Sequence, residues 1–81
     1  MTDRAEISAR VKHVLSQVLD LPAGSIGPDV SASSSPAWTS LNHLMMISQL
    51  ESEFGIVFTN QEIRELTSFN AILATLDNRL P

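Results

Sequence analysis

The sequence predicts an all-α fold, a four-helix bundle with a long first loop and a short third helix. Three observations predict it. Apolar residues recur at three- and four-residue spacing in three separate segments. Capping or helix-stopping residues bound each segment. The one β-favouring run, Ile56-Val57-Phe58, is too short to make a sheet without partners and reads as an extended connector.

The first helix is expected from about Asp3 to Leu19. Ile7, Val11, Val14, Leu15 and Val18 form its apolar stripe. Asp3, with Glu6 three residues on, resembles a capping pair, and Leu21-Pro22 with Gly24 should end the helix. Residues 20–39 then form a long loop holding Pro22, Gly24, Gly27, Pro28, Pro36 and the serine-rich run from Ser31 to Ser35. A loop of that length needs internal anchors, and Ile26 and Val30 are the candidates. The run is not an interdomain linker, because neither flanking segment could bury a core alone, so residues 1–81 read as one domain.

The second helix should open at Thr39 or Ser40 and run to about Phe54. Leu44, Ile47, Leu50 and Phe54 mark its expected buried stripe, flanked by Leu41 and Met46. Thr39 is the expected N-cap and Gly55 the C-terminal stop. Thr59-Asn60-Gln61-Glu62 reads as a capping box opening the short third helix, to about Leu66. Thr67 should cap the last helix, from about Ser68 to Arg79, with Phe69, Ile72, Leu73 and Leu76 inward.

Composition narrows the function. A chain of 81 residues offers little depth for an enclosed catalytic cleft, so a role alongside other enzymes is expected, with the chain itself a monomer. Net charge is -4, and beyond His13 the only cations are Arg64 and Arg79, against seven carboxylates. That balance disfavours nucleic acid as a partner. No apolar run reaches the ~18 residues of a membrane span, and Met1 to Arg10 lacks an apolar signal core, so a cytoplasmic location is expected. With no cysteine, any thioester chemistry needs an added group. His13 and His43 have no companion ligands at a metal spacing, so no metal is expected. A serine hydrolase built on Ser40 and His43 would need a base and an orienting acid held by a scaffold, and nothing in the sequence suggests an oxyanion hole or a substrate cleft. On helix pattern alone Ser40 is an ordinary helix-start serine.

The stretch Trp38-Thr39-Ser40-Leu41-Asn42-His43-Leu44, continuing through Leu50-Glu51-Ser52-Glu53-Phe54-Gly55-Ile56, resembles the acyl carrier protein family, whose signature is Asp-Ser-Leu at the start of the second helix. Leu19-Asp20-Leu21-Pro22 and Ile26-Gly27-Pro28-Asp29 are similar to the family's first loop, and Thr59 to Leu66 with the final helix to its third and fourth helices. The resemblance implies that Ser40 is esterified by 4'-phosphopantetheine from coenzyme A, within the motif Trp38, Thr39, Ser40 and Leu41. It implies a non-catalytic carrier of acyl thioesters in fatty acid, lipid or secondary-metabolite metabolism. Its partners would be a phosphopantetheinyl transferase, with Mg²⁺, and acyl-loading and acyl-processing enzymes. Asn42, Met45, Gln49, Glu51 and Glu53 would face partners. An acyl chain would be sheltered by Met46, Leu50, Phe58, Ile63 and Leu66.

The chain departs from the family pattern at two places. Thr39 stands where the family has aspartate, keeping the capping oxygen without the charge. The face after Ser40 carries few carboxylates, with Met45 expected to be exposed, which favours a less electrostatic partner contact and a specialised free-standing carrier; Trp38 points the same way or simply pins the loop. The alternative is an unmodified protein–protein interaction module of the same fold, kept unloaded by Thr39.

Overall fold

A computed structural model describes residues 3–80. Among these residues it contains four α-helices and no strand: α1 (Arg4–Leu19), α2 (Ser40–Phe54), α3 (Asn60–Glu65) and α4 (Phe69–Arg79), with one 3-10 turn at Ala23–Ser25. Helix α1 packs against both α2 and α4. The core is continuous, and its fully buried members are Val11 and Leu15 of α1, Met46 and Leu50 of α2, Leu66 just after α3, and Ile72 and Leu76 of α4. None of the described side chains buried in it is polar or charged.

The expected stripe of α1 is buried in full, and Leu19 joins it. Asp3 caps the helix by accepting from the Ala5 N–H at 3.1 Å, while Glu6 stays exposed. Termination comes one residue earlier than the Leu21-Pro22 signal. Asp20 adopts the left-handed conformation (φ 55°) and its N–H donates to the Ser16 carbonyl. Aspartate is among the few side chains that visit this region readily.

Helix α2 begins after Thr39, whose hydroxyl oxygen accepts from the Asn42 N–H at 3.1 Å, and stops at Gly55 (φ 66°). Its buried face differs from the expected one. Leu44 is 60% exposed, whereas Met46, Ile47 and Leu50 are buried and His43 is half-buried. The inward stripe thus runs through His43 where Leu44 was expected, one residue or about 100° around the axis. The cause is polar. His43 has a partner for each ring nitrogen, which lets it sit inward and turns Leu41 and Leu44 outward.

The capping box of α3 forms in both directions: the Thr59 hydroxyl accepts from the Glu62 N–H and Glu62 accepts from the Thr59 N–H. Helix α4 is capped by Ser68, not Thr67; its hydroxyl accepts from the Ala71 N–H at 3.0 Å. Thr67 has another task. Its carbonyl accepts from the Ala32 N–H at 2.8 Å, and the Phe69 N–H donates to the Val30 carbonyl at 3.0 Å. These two bonds form an isolated antiparallel bridge, Ser31 to Ser68, that ties the serine-rich loop to the α3–α4 junction. Ile26 is buried and Val30 packs against the core, as expected for anchors.

Candidate functional site

The long loop reaches α2 through Trp38, which is 7% exposed. Its indole N–H donates to His43 Nδ1 at 3.0 Å, and His43 Nε2 lies 2.7 Å from the Ile63 carbonyl. A nitrogen that accepts from the indole bears no proton, so neutral His43 carries its hydrogen on Nε2 and donates it to that carbonyl. One ring therefore ties the loop end, α2 and α3 together. Asn42 reinforces the join, its amide N–H₂ donating to the Ala37 carbonyl at 2.7 Å.

These contacts hold Thr39 and Ser40 at the surface. Ser40, the first residue of α2, is exposed, and its hydroxyl makes no hydrogen bond to another described residue. Beside it lies an open groove of about 560 Å³ lined by Trp38, Thr39, Ser40, Leu44, Arg64 and Thr67, with His43 and Ala32 completing the wall. Arg64 is exposed and forms no ion pair among the described residues. The unpaired N–H groups at the start of α2 and the positive end of its dipole face the same end, which favours a negative charge by about 0.3–1 kcal/mol at an exposed site.

The arrangement also limits the chemistry. A general base for Ser40 would have to offer a free lone pair, and both ring nitrogens of His43 are engaged. His13 is exposed on α1. Among the described residues no group of three or more His, Cys, Asp or Glu is placed to hold a metal ion. No described helix is long and apolar enough to cross a membrane.

The residues singled out for partner contact divide into two sets. Met45 is 44% exposed and Gln49 is exposed. Asn42, Glu51 and Glu53 are engaged within the fold. Glu51 accepts from the Phe58 N–H at 2.9 Å, and Glu53 pairs with Arg10 at 2.8 Å. Of the five residues singled out to shelter an acyl chain, Met46, Leu50, Phe58 and Leu66 belong to the buried core, Ile63 is half-buried, and none lines the groove at Ser40. Sequence reasoning missed Arg64 and Thr67 as neighbours of Ser40. They lie more than twenty positions along the chain, and only the α3 turn and the loop bridge bring them there. Compared with known proteins, the chain matches no family model and no curated protein sequence.

Proposed function

We propose that this chain is a specialised acyl carrier protein that holds acyl groups as thioesters on a 4'-phosphopantetheine attached to Ser40, and performs no catalysis itself. One observation carries the reading: the Ser40 hydroxyl is exposed at a helix start, beside an open groove, with no base of its own. A hydroxyl so placed suits modification by a separate enzyme that brings its own base and Mg²⁺. It does not suit nucleophilic catalysis.

The residues present fit the group. A phosphodiester on Ser40 would meet the unpaired N–H groups of the first α2 turn, with the Arg64 guanidinium in the same groove. When attached, the group supplies the terminal thiol that the cysteine-free chain lacks. Trp38, His43 and Asn42 act as positioning residues, fixing where the helix starts and hence where Ser40 points.

Intact mass tests this directly. Incubated with coenzyme A, Mg²⁺ and a panel of phosphopantetheinyl transferases, the chain should gain the mass of one phosphopantetheine, and Ser40→Ala should not. A wild-type mass that never changes across the panel defeats the proposal. The second reading, an interaction module that stays unloaded, is favoured by Thr39, which caps α2 as a neutral hydroxyl. Thr39→Asp separates the two: loading that appears only in this variant marks the natural chain as unmodified.

A further inference from the structure

The outward turn of Leu41 and Leu44 leaves a surface with an unusual charge pattern. Leu41, Leu44 and Met45 are 68%, 60% and 44% exposed. At i, i+3 and i+4 they share one face of α2, immediately after Ser40. The other exposed positions before Glu53 are Ser48, Gln49 and Ser52, so that face carries no charge. The two carboxylates of α2 are engaged elsewhere. Glu53 is held by Arg10, whose second nitrogen also donates to the Glu53 carbonyl at 2.8 Å, and Glu51 by the Phe58 N–H. A charge at the edge is Arg64, which shares the groove with Ser40 and Leu44 and has no ionic partner among the described residues.

We infer that this face of α2 docks a partner protein whose own patch is apolar and uncharged at its centre and carries a carboxylate at the edge that meets Arg64. The inference rests on the carrier reading, because its partners are the enzymes that act at Ser40. Charge complementarity selects this partner. A basic patch laid on this face would find both α2 carboxylates already engaged and would set its cations against Arg64. An apolar patch would cover Leu41, Leu44 and Met45, and a carboxylate beside it would give Arg64 the partner it lacks. A lipid surface fits less well, since the ridge lacks the flanking lysines and arginines that hold a helix on anionic headgroups.

The experiment uses the whole chain, coenzyme A, Mg²⁺ and two transferases, one with a basic carrier-docking surface and one with an apolar docking surface. Intact mass follows loading. The apolar-surfaced enzyme is expected to load the chain about tenfold faster or more, with an initial rate changing less than about twofold between ~50 and ~500 mM NaCl, because burial of apolar surface is not screened. Leu41→Gln/Leu44→Gln should cut that rate about tenfold without lowering the melting temperature, since both side chains are solvent-exposed in the free chain. Preference for the basic-surfaced enzyme, with a rate falling about tenfold over that salt range, overturns the inference. So does a double variant that loads at the wild-type rate.

If neither enzyme adds mass to Ser40, the carrier reading has failed. The surface is then judged on the unmodified chain with 8-anilinonaphthalene-1-sulfonate as probe. Dye fluorescence that is strong in the wild type and lost in the double variant supports an open apolar face, and a wild type that does not bind the dye overturns it. A dimer by sedimentation that the double variant dissociates assigns the face to a second copy of the chain and overturns the partner stated here.

Discussion

At its C-terminal end, helix α2 uses its charges on the rest of the fold. Glu51 holds the connector at Phe58, Glu53 pairs with Arg10, and the Arg10 guanidinium lies 4.8 Å over the Phe54 ring. At its N-terminal end the same helix has no charged side chain in its first eleven positions. It presents Leu41, Leu44 and Met45 to solvent beside the free hydroxyl of Ser40. The two ends therefore answer different demands. Carboxylates at the far end anchor α2 to α1 and to the connector, whereas at the near end the neutral side chains of Asn42 and His43 do the anchoring and the exposed apolar ones are left without intramolecular work. An acidic residue counted from sequence is available to a partner only if the fold has not already taken it.

The contrast can be broken by substitution, and the expected effects fall in a clear order. Leu50→Ala, at a fully buried position of α2, should lower unfolding stability by about 2–5 kcal/mol, whereas Leu44→Ala should stay within ~0.5 kcal/mol. Urea midpoints measure both, and equal losses would mean that Leu44 is packed in solution. His43→Leu removes the acceptor for Trp38 and the donor to the Ile63 carbonyl, at about 1–3 kcal/mol. That variant should also change the Trp38 fluorescence, and an unaltered spectrum and midpoint would show that the ring does not bridge the loop and α3.

Gly55→Ala should cost about 1–2 kcal/mol. A new Cβ meets nothing within 4 Å there, so the whole loss comes from holding a side-chain residue at φ 66°. Thermal melting reads it, and a neutral result would mean that the helix stop has relaxed. A still smaller loss is expected at Glu53→Gln. Its ion pair with Arg10 is about as exposed as an ordinary surface pair, worth ~0.2–1 kcal/mol and less at high salt. A larger loss that persists in high salt would sharpen the comparison, by showing that the far end of α2 depends on the Arg10 contacts through packing as well as charge.

The candidate site was legible in part. Ser40 at the start of α2 and Thr39 as its cap could be read from the order of loop, hydroxyl residues and amphipathic run, because capping is local chemistry. Leu44 was misread for an instructive reason. Periodicity ranks leucine above histidine for an inward position, and it has no way to register that Trp38 and the Ile63 carbonyl would satisfy both nitrogens of His43. Thr67 was misread as a cap for a similar reason, since two hydroxyl residues stand in a row and the loop bridge at Ala32 decides between them.

By itself the sequence determined the four helices, most of their ends and the inward stripes of α1 and α4. Those features follow from spacing, caps and stops, which act within a few residues. Tertiary structure alone decided the rotation of α2, the capture of Glu51 and Glu53, and the groove that joins Ser40 to Arg64 and Thr67. Each of these depends on hydrogen bonds, ion pairs or packing between residues distant in the chain, and such partners carry no local signature in the order of residues.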